Sequence, residues 1–340
     1  MHLAALNWPP RTTWNGMVGG GTVETAMAKY SNSHTLPQLT GGPFLTDGGL
    51  ETTLVFLEGI DLPCFAAFPL VLSESGREAL THYFSPYLAE AKHRRVGFIL
   101  DSPTWRANPD WGKTLGYNLE SLLEANRRAM SFVANLRETL GDVSLPIVLN
   151  GVVGPRGDGY VVKEVMTVDQ AADYHRPQIE ALRDGGAEMV SAITMTYAEE
   201  AIGIALAARD CDIPVAISFT VETDGRLPSS QPLKAAVEKT DAATGSVPAY
   251  YMINCAHPEH FQDALIEGGL WLDRIRGIRA NASRKSHAEL DASTELDIGD
   301  ADELAQQYRD LRSRMPGLRV LGGCCGTDHR HIIAICNACM

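Results

Sequence analysis

The chain has 340 residues, 45% of them hydrophobic and 21% charged, which suits one large globular domain or two small ones. Its formal net charge of −13 argues against nucleic acid or an anionic membrane as partner, because both need clustered Lys and Arg that the chain lacks, and it leaves small molecules as the expected ligands. No apolar stretch approaches the ~20 residues of a membrane span, and no basic segment leads into an apolar one at the N-terminus, so a cytoplasmic protein is expected.

Residues 1–42 are rich in Gly, Ser, Thr, Asn and Pro, carry the run Gly19-Gly20-Gly21 and show no hydrophobic period. They are expected to form a flexible extension, with the glycine triplet as linker and Met27 as an alternative start. From residue 43 to 340, short apolar runs alternate with stretches of helical periodicity. The runs Phe44–Thr46, Val96–Leu100, Pro146–Leu149, Met189–Ile193, Val215–Phe219, Tyr250–Asn254, Ile275–Arg279 and Arg319–Leu321 are predicted as strands. Between them, Leu80–His93, Leu119–Thr139, Thr167–Gly185, Ala198–Asp210, Leu233–Lys239, Pro258–Glu267 and Ala301–Met315 are predicted as helices. Eight strands alternating with helices point to an α/β fold with a parallel sheet, and the count favours a closed (β/α)8 TIM-type barrel over an open sheet. The first strand leads into Asp47-Gly48-Gly49, which lacks the GxGxxG form of a dinucleotide fold.

In such a barrel the chemistry sits where strands pass into the following loops. Asp47-Gly48-Gly49 follows strand one, Asp101-Ser102-Pro103-Thr104-Trp105 strand two, Asn150 to Pro155 strand three and Ser218 to Glu222 strand five. Asn254-Cys255 follows strand six, Asn281-Ala282-Ser283 strand seven, and Gly322-Gly323-Cys324-Cys325-Gly326-Thr327 strand eight. Adjacent cysteines on a regular strand point to opposite faces, so Cys324 and Cys325 can converge only in a turn, and the flanking glycines permit the φ values such a turn needs. Seven cysteines over this length are too few for a disulfide scaffold. Cys255, Cys324 and Cys325 therefore read as a three-thiolate metal site, in preference to a reactive disulfide or to structural thiols. Zn²⁺ held by three thiolates keeps one open position and is electron-rich, so it suits holding an incoming thiol as thiolate for alkyl transfer better than hydrolysis.

The elements Asp47-Gly48-Gly49-Leu50-Glu51-Thr52, His175-Arg176-Pro177-Gln178, Ser218-Phe219-Thr220-Val221, Asn254-Cys255 and Gly322 to Thr327 occur in the order seen in the homocysteine S-methyltransferase family, which the chain resembles from about Pro43 to its end. The resemblance implies a zinc-dependent barrel that methylates homocysteine to methionine, with Cys255, Cys324 and Cys325 as ligands and Asp47 with the following backbone holding the acceptor. The expected substrate-binding residues are Asp47, Gly48, Gly49, Glu51, Thr104, Trp105, Thr194 and Asn254. One departure matters: family members that use homocysteine carry a Glu-Thr pair after strand four, and here it reads Ile193-Thr194. Loss of a buried carboxylate that pairs with the substrate ammonium costs ~3 kcal/mol or more of binding. Either Asp47 or Glu51 supplies the charge, or the thiol lacks an amino group there. A different thiol acceptor, a metal-water enzyme and a catalytically silent zinc- and thiol-binding barrel are the alternatives.

The partners implied are a small thiol acceptor and a small methyl donor of unspecified identity, with a homo-oligomer left open. Trp105 and Trp111 are expected to cover the barrel mouth, where an aromatic wall also suits a cationic methyl donor. Cys64 and Cys211 are expected to have core or incidental roles, Cys336 and Cys339 to pack a terminal helix, and His257 and His260 to lie in a loop opening a helix. His175 and Arg176 fall in the helix before strand four, on the side of a barrel that serves stability.

Overall fold

The computed structural model describes residues 36–340 apart from Glu267. Residue contacts divide the chain into Met1–Leu36, which apart from Leu36 lies outside the described residues together with Gly19 to Gly21 and Met27, and a compact unit, Pro37–Met340. Eight parallel strands close this unit into a barrel in sequence order. They are β1 (Phe44–Leu45), β2 (Gly97–Asp101), β3 (Ile147–Val153), β4 (Met189–Met195), β5 (Val215–Phe219), β6 (Tyr250–Asn254), β7 (Ile275–Ala280) and β8 (Val320–Gly323). The seam closes where Phe44 and Leu45 of β1 pair with Val320 and Leu321 of β8, and the Thr46 amide donates to the Leu321 carbonyl at 2.9 Å. Every strand but β3 and β7 is buried along its whole length, as expected of a parallel sheet jacketed by helices.

The helices that follow the strands are α1 (Glu74–Arg94), α2 (Leu119–Leu140), α3 (Val168–Asp184), α4 (Ala198–Asp210), α5 (Leu233–Thr244), α6 (Pro258–Phe261), α7 (Ala301–Arg314) and α8 (His329–Cys339). Their starts are set by side chains that satisfy orphan backbone amides: Ser73 caps α1, Asn118 caps α2, and Thr167 with Gln170 forms a reciprocal capping box on α3. The Ser73 cap is why α1 begins six residues before the predicted Leu80, since Glu74 to Glu78 carry too few apolar residues to show a period.

Other boundaries shift for related reasons. β3 runs on through Gly151, Val152 and Val153, which the sequence placed in a loop, because their register with Val190, Ser191 and Ala192 of β4 continues the ladder. The predicted helix Pro258–Glu267 stops at Phe261 and passes into a tight turn, Asp263–Leu265. Within residues 1–42, assigned to a flexible extension, Pro37–Thr40 is helical and Gln38 is fully buried, with its amide 3.4 Å from the Tyr250 hydroxyl. Among the described residues no helix is long and apolar enough to cross a membrane.

Candidate active site

A cavity of about 400 Å³ opens at the C-terminal ends of the strands. Its floor is built by the turns after β6 and β8. Cys255 adopts a left-handed backbone (φ 51°), and its amide donates to the Arg279 carbonyl of β7. The Cys324 amide donates to the Ala280 carbonyl at 2.8 Å, and the Cys325 carbonyl accepts from Ala282 at 3.1 Å. These anchors turn all three cysteines to one place, where their sulfurs lie within 4.8 Å of one another. Cys255 and Cys324 are paired as a disulfide, and Cys325 is a free thiol 4.0 Å from the Cys255 sulfur.

The glycines around the doublet serve different purposes. Only Gly326 takes a positive φ (78°), as the sequence expected of the flanking glycines. Gly322 is required by proximity, because a Cβ there would lie 1.8 Å from Thr46 Oγ1 and 3.1 Å from the Asp47 carbonyl. Gly322→Ala is therefore expected to push β8 from β1 and lower stability by ~1–3 kcal/mol, read as a reduced urea midpoint. An unchanged midpoint would show that the seam is not closely packed there.

Burial pushes the Cys325 thiol up to about 11, against which the hydrogen-bonding contact with Tyr160 Oη at 3.5 Å acts only in part. A bare Cys325 is thus protonated at neutral pH. Tyr160 stacks on His287 with ring centroids 4.0 Å apart, and His287 Nε2 donates to the Cys255 carbonyl at 2.7 Å while its Nδ1 lies 3.1 Å from Glu222 Oε1. Loops after β3, β5 and β7 therefore brace the cysteine turns.

A second cluster lines the same cavity. Arg279, projecting from β7, reaches Asp47 Oδ1 with Nη2 at 2.5 Å and Asp101 Oδ2 with Nη1. Tyr83 of α1 donates to Asp47 Oδ2 at 3.0 Å, and Asn150 donates to Asp101 Oδ1 at 2.7 Å. Desolvation outweighs the guanidinium and lifts the Asp47 carboxyl to about 7.

The expected substrate residues divide on inspection. Asp47, Gly48, Gly49, Glu51, Trp105 and Thr194 line the cavity together with Ile193. Thr104 does not: it is fully buried and its hydroxyl donates to the Val152 carbonyl at 2.6 Å. Asn254 is not among the lining residues: its amide group is engaged by the Thr194 amide and hydroxyl and by Ser218, and its nitrogen also lies 4.0 Å from the Cys324 sulfur, so it ties β4 and β5 to the cysteine turns. The aromatic wall also differs from expectation, because Arg106 lies over Trp105 (4.5 Å) and Trp111 (3.9 Å) and supplies the cation itself. Arg106, Tyr160, Arg279 and His287 carried no sequence signal, as none sits in a motif with fixed spacing. His257 caps α6 and takes no part in the cysteine cluster, while Cys336 and Cys339 lie along α8.

A family model described as homocysteine S-methyltransferase matches residues 44–339. The chain belongs to the homocysteine S-methyltransferase family. Among curated relatives of this family it is 24% identical over 347 residues to selenocysteine Se-methyltransferase of Brassica oleracea var. italica, covering 94% of each chain. It is 23% identical over 326 residues to homocysteine S-methyltransferase 2 of Arabidopsis thaliana, covering 87% of this chain and 92% of that protein. The fold is that of the homocysteine methyltransferase MmuM from Escherichia coli. Its oxidized form superposes with a TM-score of 0.67 at 20% identity over 86% of this chain and 94% of that one. The metallated form gives 0.66 at 19% identity over 87% and 96%. Membership of the homocysteine S-methyltransferase family makes this chain a methyltransferase.

Proposed function

We propose that the chain is a zinc-dependent S-methyltransferase that moves a methyl group from a small donor to a thiol acceptor, homocysteine in the first place, to give methionine. The observation that carries this reading is the convergence of Cys255, Cys324 and Cys325 on the cavity floor. Three soft sulfur donors close enough to meet one ion fit zinc, provided Cys255 and Cys324 are reduced, because disulfide pairing and ligation compete for the same electron pairs. When bound, zinc keeps an acceptor sulfur deprotonated at neutral pH.

The chain's own residues then hold and shield the reactants. Gly48, Gly49, Glu51 and Thr194 face the acceptor end, and Phe56, Phe65, Trp105 and Tyr160 give the cavity apolar walls that exclude water. Holding sulfur and methyl carbon at attack distance can contribute ~7 kcal/mol or more, so no separate general base is required. Zinc binding needs the Cys255–Cys324 pair reduced, which a reducing compartment such as the cytoplasm would supply. Ile193 favours a second reading in which the chemistry is unchanged and the thiol differs.

The test is to supply the zinc-loaded protein with L-homocysteine and, in turn, S-methylmethionine, S-adenosylmethionine and a betaine, and to follow products by mass spectrometry. Methionine is expected from at least one donor. Zinc and thiol binding with no methylated thiol from any donor would overturn the transferase reading and leave a silent binding barrel.

A further inference from the structure

Among the described residues, Glu51, Arg106, Asp291 and Glu295 line the cavity with no hydrogen bond or ion pair from their side chains; Asp291 and Glu295 are exposed, whereas Glu51 is half-buried and Arg106 is half-buried against Trp105 and Trp111. Glu51 lines it from the helical turn Leu50–Thr52 after β1, and among the described residues no other side chain hydrogen-bonds or ion-pairs with its carboxylate. Arg106 lines the same cavity from the loop after β2, forms no ion pair among the described residues, and keeps a buried Nε with no acceptor. The carboxylates that act on it most are Asp158, whose Oδ1 accepts from the amides of Tyr160 and Val161, and Glu51 itself, which stands across the same cavity. An unpaired carboxylate and an unpaired guanidinium at the edge of an apolar cavity each carry a desolvation cost that a ligand of opposite charge relieves.

Asp47 is already engaged on both oxygens, by Arg279 and Tyr83, so its charge is largely spent within the protein, and Ile193 brings no charge. The order of the loops around the mouth supplies the geometry. The cysteine doublet follows β8, Glu51 follows β1 and Arg106 follows β2, and these three strands are consecutive neighbours in the barrel. The β1 turn touches the doublet directly, with the Gly326 amide donating to Thr52 Oγ1 at 3.2 Å. Passing round the mouth, one meets sulfur ligands, then an anion, then a cation.

We propose that Glu51 and Arg106 clamp a zwitterion, taking the α-ammonium and α-carboxylate of an amino-acid thiol whose sulfur lies over the cysteine cluster. This rests on the thiol S-methyltransferase reading and deepens it. Acceptor recognition has moved from the position of Ile193 on β4 to the loops after β1 and β2, and the acceptor remains an amino acid.

Calorimetric titration of the zinc-loaded protein with three thiols tests the clamp: L-homocysteine, 4-mercaptobutanoate, which lacks the ammonium, and 3-aminopropane-1-thiol, which lacks the carboxylate. Homocysteine is expected to bind at least about tenfold more tightly than either truncated thiol. Glu51→Gln should weaken homocysteine and 3-aminopropane-1-thiol by a similar factor and leave 4-mercaptobutanoate unchanged. Arg106→Met should do the reverse, so each variant carries its own control for folding. Equal affinity of the wild-type protein for all three thiols, or equal weakening of all three in both variants, overturns the clamp while leaving the thiol chemistry standing. Binding of none of them by the zinc-loaded protein overturns the underlying reading and the clamp with it.

Discussion

Cys255→Ser is expected to reduce bound zinc to background and methyl transfer on the order of a thousandfold or more, measured by elemental analysis of the purified protein and by methionine formation. Serine offers a hard oxygen whose proton is held far more tightly than that of a thiol, so a site made of two soft donors and one alcohol loses most of its hold on the ion. The substitution leaves the surroundings little changed, because the Cys255 turn is set by its backbone, through the amide to the Arg279 carbonyl and the carbonyl to His287. Cys339→Ser, at the end of α8, is the control and should keep both zinc and turnover. A Cys255→Ser protein that retains full zinc and activity would sink the three-thiolate assignment.

The second large effect concerns stability. Among the described residues Arg279 is the one cation paired with the two buried carboxylates Asp47 and Asp101, so Arg279→Met leaves like charges facing each other in the barrel interior. Removing one partner of a buried ionic cluster typically costs about 3–5 kcal/mol. The penalty depends on pH with a definite sign. Burial already raises the Asp47 carboxyl to about 7 from its ordinary 3.8, and loss of Arg279 raises it further. An acid whose pKa is raised by folding binds more protons in the folded state, so its penalty is absent below the unfolded value and grows as pH rises toward the folded one. The variant should therefore lose most stability at pH 8 and recover part of it at pH 5.5, compared by urea unfolding at the two values. Equal midpoints for variant and wild type at pH 8 would show that the cluster is not charged as the geometry implies.

These two outcomes draw on parts of the chain that differ in how far the sequence disclosed them. Runs such as Val215–Phe219 and Tyr250–Asn254 are apolar along their whole length and bounded by turn residues, and they coincide with β5 and β6. α4 likewise matches Ala198–Asp210 at both ends. Boundaries drifted where periodicity was weak, as at the start of α1, and where a strand continued into glycine, as at Gly151 in β3. The short helical turns Phe68–Leu72, Pro109–Thr114 and His287–Asp291 went unpredicted, because five or six residues are too few to display a helical period.

By itself the sequence determined the eight alternating strands and helices, the family, and the cysteines at the ends of β6 and β8, since all of these rest on local patterns of polarity or on rare residues in fixed spacing. The tertiary structure alone decided which polar groups still face the cavity. Asp47, Thr104 and Asn254 look available in the chain, yet Arg279, the Val152 carbonyl and the neighbouring strands occupy them, whereas Glu51 and Arg106 are left unpaired. The physical reason is that hydrogen-bond partners in a closed barrel come from strands far apart in sequence, so satisfaction or orphaning of a buried charge is a property of the closed ring and not of any segment within it.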